Sequence, residues 1–307
     1  MRRSERGVSS RPHIALRDLS IAWLIPLWLA MSYLVFGAVR HMVDTHTFAR
    51  DIHAYWLTAH QASLYGLGPG IEDAYLYSPA FATAIWPLAN LSWPVFLTIW
   101  LIGQAAASAW LLAPLGRWAV PAFLIVVPTM AQGNIYGLMA ISLIIGMRYQ
   151  AAWALPILTK ITPGVVLLWF VVRREWRSLG IALLSTAVIA AISFVLTPSA
   201  WFQWLEFLTH HGAESGFTRY LRIIAAGVVA VVAARRDIPW LLAVAMFLSC
   251  PVVTGINNWI LLAAIPRLVG MRRPDALEVT HHAEEDERAA KLSRDGGASP
   301  ATSGTNP

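Results

Sequence analysis

Residues 178–197 read SLGIALLSTAVIAAISFVLT, a run without a single charge, set directly behind the basic cluster Arg173-Arg174-Glu175-Trp176-Arg177. A bilayer's hydrocarbon core is about 30 Å thick, and a helix rising ~1.5 Å per residue needs roughly 20 apolar residues to cross it. Only a helix or a closed barrel satisfies its backbone polar groups there. The stretch therefore predicts a membrane-spanning helix, with its Arg-rich end held on the cytoplasmic side by the positive-inside rule.

Working outward, comparable apolar runs recur at 20–39, 78–91, 93–115, 118–131, 135–147, 151–172, 221–234, 238–250 and 253–270. Together with 178–197 they predict an all-α polytopic membrane protein, a bundle of about ten transmembrane helices over residues 20–270. Two of the runs read in a second way: 78–91 as a re-entrant segment, and 151–172 as two half-helices. Pro87, Pro94, Pro121, Pro128, Pro156 and Pro163 interrupt the pattern. Broken helices at membrane depth are tolerated where they line a cavity instead of facing lipid.

Composition agrees. Hydrophobic residues make up 57% of the chain and charged residues 13%, with a mean hydropathy of +0.56, whereas soluble domains carry about 25% charged residues. The fifteen Trp suit a chain with many membrane–water crossings, where amphipathic rings settle. A net charge of +6 raises nucleic acid as a partner, but the Arg residues sit at the ends of apolar runs and form no stripe, so they read as topology determinants. The lone Cys250 has no partner for an internal disulfide.

Residues 1–19 carry Arg2, Arg3, Arg6, Arg11 and Arg17 ahead of the run Ile21–Val39. That run exceeds the 7–15 residues of a signal-peptide core and lacks a small-residue cleavage site. It is expected to be an uncleaved first helix behind a basic cytoplasmic N-terminus. Ten alternating spans put the N-terminal Arg group, Arg173–Arg177, Arg235-Arg236 and Arg272-Arg273 all on the cytoplasmic side. Both termini are then cytoplasmic, in a multi-pass protein of the plasma membrane.

Two loops face outward on this reading, 40–77 and 198–220. The second contains Trp201, Trp204, His210, His211 and Glu214. Their aromatic content argues against disorder, and long ordered loops are commonly functional. Residues 271–307 are charged, rich in small polar residues and without apolar period, which predicts a disordered cytoplasmic tail. His281-His282 beside Glu284-Glu285-Asp286 reads as a solvated charge run before it reads as a metal site.

Polar side chains inside apolar runs are costly and call for a reason. Gln104, Gln132, Asn134, Lys160, Asn257 and Asn258 qualify. Lys160, in Thr159-Lys160-Ile161-Thr162-Pro163, is either a cation facing an anionic substrate group in a cavity or a helix-end Lys snorkelling to the interface. Gln132-Gly133-Asn134 reads first as a polar turn between two runs. In the outer loop 40–77, the spacing of Phe48, Ile52, Tyr55, Trp56 and Ala59 predicts an amphipathic helix over 48–65 lying at the membrane interface. Asp51 stands near its start, where a carboxylate also complements the helix dipole.

Several ordered pieces then resemble glycosyltransferase family 87, the polyprenyl-phosphate-mannose-dependent mannosyltransferases of actinobacterial envelopes, which have the GT-C membrane fold. They are Asp51 followed by Tyr55 and Ser63-Leu64-Tyr65-Gly66, then Tyr75-Leu76-Tyr77-Ser78-Pro79-Ala80-Phe81, Pro87-Leu88-Ala89 and Trp100. Gln132-Gly133-Asn134, Lys160-Ile161-Thr162-Pro163 and the Arg173–Arg177 cluster complete the series. The resemblance covers roughly residues 40–178. Further on, where family members often have a Trp-x-His element, this chain reads Thr254-Gly255-Ile256-Asn257-Asn258-Trp259, and it is short for the family.

The resemblance implies an inverting transfer of a sugar, mannose by expectation, on the outer face. The donor would be a polyprenyl-phosphate sugar and the acceptor an envelope glycolipid or polysaccharide. Asp51 would be the general base, and Arg50, His53, Tyr55, Tyr65, Asp73, Tyr77, Gln132, Asn134 and Lys160 would bind substrate. Lys160 or Arg50 would stabilise the leaving lipid phosphate. No cofactor, metal or nucleic acid is implied, and a lipid-borne donor needs no Gly-rich nucleotide loop. Two readings from other classes compete: a transporter or flippase for a lipid-linked sugar, which broken helices also suit, and a non-catalytic scaffold of envelope assembly.

Overall fold

The computed structural model describes residues 16–211, 216–250 and 257–271. Several features named above lie outside them: Arg2, Arg3, Arg6, Arg11, Glu214, Thr254-Gly255-Ile256, Arg272-Arg273, and His281-His282 with its acidic neighbours. The chain divides into two compact units, Met1–Leu268 and Val269–Pro307. Almost all of the second is likewise outside the described residues.

Among the described residues all regular structure is helical, with no strand. The run 178–197 becomes α9 (Trp176–Leu196), 21 residues long and so about 31 Å. Its surface carries exposed Leu183, Leu184, Val188, Ile192, Val195 and Leu196, an apolar skin that a water-soluble fold would have to cover. The first run becomes α1 (Leu16–Asp44), which likewise exposes Tyr33, Leu34 and Phe36. Among the described residues four stretches are long and apolar enough to cross a membrane: Ile25–Asp44, Trp93–Gln132, Trp176–Leu196 and Phe217–Arg236. Shorter apolar helices lie at Pro79–Ala89, Tyr136–Gly146, Thr162–Val172 and Asn258–Val269. The protein is thus an all-helical membrane protein; among the described residues four stretches have full spanning length, which does not by itself bear out a bundle of ten.

Local chemistry explains the short elements. Ser78 and Ser92 precede α3 (Pro79–Ala89) and α4 (Trp93–Leu112), each with Pro in its first positions, where the missing N–H costs nothing and φ is preset. The stretch Trp93–Gln132 bends at Gly116 (φ 57°, ψ −123°), inside a 3-10 turn over Ala113–Trp118, before α5 (Ala119–Gln132). The run 135–147 forms α6 (Tyr136–Gly146). The run 151–172 is broken: 3-10 at Gln150–Trp153, α7 (Ala154–Thr159), Lys160 outside helical geometry, 3-10 at Thr162–Leu167, then α8 (Leu168–Val172). Pro163, in the first turn of the second 3-10 stretch, favours this break, because it has no N–H to give the Thr159 carbonyl and its ring would clash there in a continuous helix.

Both segments read as outer loops contain helix that the sequence reading placed differently. The amphipathic segment 48–65 is helical only as α2 (Arg50–Leu57). The Thr58 hydroxyl donates to the Tyr55 carbonyl at 2.7 Å, a local bond that competes with helix continuation. Its apolar face does not lie against lipid: Ile52 and Tyr55 are wholly buried in protein, Tyr55 packed on Tyr77, Phe81 and Trp100. The segment read as a loop over 198–220 is a helix from its start, α10 (Pro198–His211). Ala200 and Phe207 are buried, and the Trp201 indole donates to Ser193 of α9 at 3.2 Å. The apolar positions 200, 204 and 207 follow a helical period that the polar content of the segment obscured.

The remaining bundle is built from α11 (Phe217–Arg236), α12 (Leu241–Ser249), the 3-10 stretch Asn257–Ala264 and α13 (Ile265–Val269). Ala226, Ala230, Ala233 and Ala234 of α11 are buried, and such small residues let helix backbones approach closely where lipid gives no hydrophobic drive. Two ties define the ends of the bundle. Arg173 donates to Asp237 at 2.7 Å and to the Ala234 carbonyl at 3.1 Å, so its cluster lies beside Arg235-Arg236. Ser63 donates to Gln203 at 3.3 Å, so the two segments read as outer loops meet each other, with the length of α9 between the two ends.

Candidate active site

Three elements converge beneath segment 40–77. Gly133 ends α5 at φ 91°, and a Cβ there would stand 2.0 Å from Ile52 Cγ1 and 3.0 Å from the Ile52 backbone nitrogen. Only glycine permits this approach of α2 to the turn. Further bonds fix the contact: the Ala49 N–H donates to the Ala131 carbonyl at 2.7 Å, the Trp100 indole to Gly133 O at 3.2 Å, and Gln104 to Asn134 O at 2.9 Å. Ala49 itself holds a left-handed φ of 56° at the start of α2, a strained conformation for a residue with a Cβ. The polar turn 132–134 is therefore a docking platform, and Gln104 is one of its supports.

Asp51 is aimed by this contact. Asn134 Nδ2 donates to Asp51 Oδ2 at 3.1 Å. Burial pushes the carboxyl above the usual carboxylate range, opposed by the charges of Lys160 and Arg50 and by the Asn134 bond. Lys160, at the break after α7, donates to the Tyr136 hydroxyl at 3.0 Å and lies over the Tyr136 and Tyr77 rings, 4.3 and 5.2 Å from their centroids. It points inward among aromatic groups and lines a cavity. Among the described residues Asp51 makes no ion pair, so carboxylate and ammonium face a common space without closing it.

That space is a cavity of about 370 Å³ lined by Arg50, Asp51, Tyr55, Asp73, Tyr77, Gln132, Asn134, Tyr136 and Lys160, and roofed by Pro69–Ile71. Eight of the ten residues singled out from the sequence meet here. Arg50 also donates to the Gly70 carbonyl at 2.6 Å, which ties the roof to α2. The Tyr55 and Tyr77 hydroxyls are 2.9 Å apart, Tyr55 donating. Burial drives both far above the usual phenol range, so they act as neutral hydrogen-bonding groups.

Two expected residues stand elsewhere. His53 Nδ1 lies 2.6 Å from Asp73 Oδ1, between the Trp56 and Trp93 rings, and lines a neighbouring cavity of about 280 Å³ with Arg50 and Glu72. Tyr65 donates to the Tyr77 carbonyl at 2.7 Å and lines a third cavity, against α10. Tyr136 was missed. It looked like an ordinary aromatic at the head of an apolar run, and its place directly after the polar turn was the one available signal. Among the described residues no three His, Cys, Asp or Glu side chains are grouped so as to hold a metal ion.

The sequence profile of glycosyltransferase family 87 matches residues 75–282. The matched segment includes Tyr77, Gln132, Asn134 and Lys160 and begins after Arg50, Asp51 and Tyr55. No curated protein and no solved structure matches the chain.

Proposed function

The chain belongs to glycosyltransferase family 87, and on that premise we propose that it moves a sugar, mannose by expectation, from a polyprenyl-phosphate donor to an envelope glycolipid or polysaccharide at the outer face of the plasma membrane. The fold would be of the GT-C type, with both termini cytoplasmic. The observation that carries the reading is the pairing, across one cavity, of a carboxylate held by Asn134 with the inward-facing Lys160.

The chemistry follows from that pairing. Asp51 accepts the proton of an acceptor hydroxyl as its oxygen attacks the anomeric carbon, and the bond from that carbon to the phosphate oxygen breaks. A single displacement inverts the anomeric centre. A base works best with a pKa near the working pH, and burial moves Asp51 in that direction. The polyprenyl phosphate leaves with its electron pair, and Lys160 and Arg50 stabilise the charge in a site drier than water. Tyr55, Tyr77, Gln132 and Asn134 offer neutral hydrogen bonds to sugar hydroxyls.

The test is transfer from radiolabelled polyprenyl-phosphate-mannose into native lipid extract, in membranes containing wild type or Asp51→Asn. The variant is expected to lose about 10²–10⁴-fold in rate, the usual worth of a general base. Equal rates would remove Asp51 from the mechanism. Absence of transfer by correctly inserted wild type would leave lipid-linked sugar transport or scaffolding as the function.

A further inference from the structure

The third cavity is not used by the reaction just described. It has a volume of about 320 Å³ and lies between the first outer segment and α10, lined by Ser63, Tyr65, Gln203, Glu206, Phe207 and His210. That volume is within the usual range of small-molecule sites, and its chemistry is selective. Tyr65 and Phe207 present two rings, centroids 5.6 Å apart and planes inclined at 42°. Around them stand an amide, a carboxylate, a hydroxyl and an imidazole. An aromatic face is electronegative and attracts polarised C–H groups, whereas the flanking polar groups suit vicinal hydroxyls. Both features match a pyranose ring, which has an apolar C–H face and an equatorial rim of hydroxyls.

Its position adds to the argument. Tyr65 forms one wall and donates to the carbonyl of Tyr77, while the Tyr77 ring faces Lys160 in the Asp51 cavity. The two cavities therefore share a partition made of Tyr65 and Tyr77. Ser63 donates to Gln203 across the gap, so the two walls of the cavity are tied to each other at that edge. Glu206 is exposed and its carboxylate makes no ion pair among the described residues.

We propose that this cavity is a saccharide subsite, holding a sugar of the acceptor glycan adjacent to the one that receives the transferred residue. The identification of the ligand as acceptor rests on the transferase reading; saccharide binding does not. Glu206 and Gln203 are the hydrogen-bonding residues and Tyr65 with Phe207 the stacking surface. The enzyme would accordingly favour acceptors of at least two sugars.

The experiment uses the full chain in detergent with octyl mono-, di- and trimannosides as probes. Calorimetry is expected to detect trimannoside binding to wild type and to Asp51→Asn alike. Glu206→Gln and Gln203→Ala, which alter exposed or half-buried side chains and should melt as wild type does, are each expected to weaken binding about tenfold, as loss of one polar contact of ~1.4 kcal/mol would. In transfer assays the same variants should raise KM for di- and trimannoside, leave kcat and the monomannoside KM unchanged, and so erase the preference for longer acceptors. No trimannoside binding by wild type, or binding and KM values unaltered in both variants, overturns the subsite. Trimannoside binding that depends on Glu206, found in a protein that transfers nothing, would instead sink the transferase reading and leave the subsite standing.

Discussion

Asp51 shows how one side chain is asked to be two things at once. An acid whose folded pKa lies above its unfolded value binds protons more readily when folded. The stability it adds is complete below the unfolded pKa and is lost as pH rises through the raised folded value. Burial sets that direction for Asp51, so at neutral pH its ionised form costs the fold something, even with Lys160, Arg50 and Asn134 in opposition. Two outcomes are expected. In a pH series, kcat should fall on the acid side with a midpoint above the ordinary carboxylate range, since the base must be ionised to accept a proton; a limb near pH 4 would mean that another group sets the profile. In thermal melts in detergent at neutral pH, Asp51→Asn should unfold at a higher temperature than wild type while losing transfer, and a clearly lower melting temperature would contradict the assigned burial cost. At this scale the sequence was partly legible. An Asp in an amphipathic segment and a Lys inside an apolar run are both visible as expensive placements. The turn at 132–134 and the break after α7 are visible in the sequence too, but that they bring Asn134, 83 residues along the chain, and Lys160 to one cavity with Asp51 leaves no local trace.

Among the elements, the contact of α2 with the turn after α5 decides where Asp51 points. Gly133→Ala would combine a left-handed φ with a Cβ set inside Ile52. The backbone term is about 1 kcal/mol and the overpacking term about 1–3 kcal/mol, for an expected loss of roughly 2–4 kcal/mol. Because α2 must shift to relieve it, kcat should fall further than the loss of folded protein explains, measured by transfer per folded molecule. Wild-type kcat in a stably inserted Gly133→Ala variant would separate α2 positioning from catalysis. The helices that sequence reading located best were those with an uninterrupted apolar run, such as α9, since run length is itself the physical requirement. The outer segments were harder. The face of Ile52, Tyr55 and Trp56 was visible, but an amphipathic stripe looks the same whether it meets lipid or a protein core. In α10 the apolar period at 200, 204 and 207 was outweighed by His, Gln and Glu, which turn out to line a cavity.

For the whole molecule, the bundle has two chemically distinct ends. At one, Arg173 joins Glu175, Asp237 and the end of α11. The Arg173 guanidinium also lies over the Trp169 ring, 4.9 Å from its centroid. At the other, α2, the tyrosine-rich segment 65–77 and α10 surround the cavities. Because α9 runs between them at about the thickness of a hydrocarbon core, the ends must fall on opposite sides of any membrane that α9 crosses. The sequence reading assigned sides to these ends through its charges and ten alternating spans, with the basic clusters expected on the cytoplasmic side. Orientation is thus open to a direct measurement. Cys250, the chain's one cysteine, is buried, so it should leave a low background toward a membrane-impermeant maleimide. Ala62→Cys, at an exposed position of the first outer segment, should label in intact cells, whereas Arg177→Cys, exposed at the head of α9, should label only after permeabilisation. The reverse pattern would put the Asp51 cavity on the cytoplasmic face, where soluble nucleotide sugars are the accessible donors, and the lipid-phosphate donor would have to be given up. The expected pattern would confine the cavity to the face that a sugar can reach only on a carrier which has itself crossed the membrane.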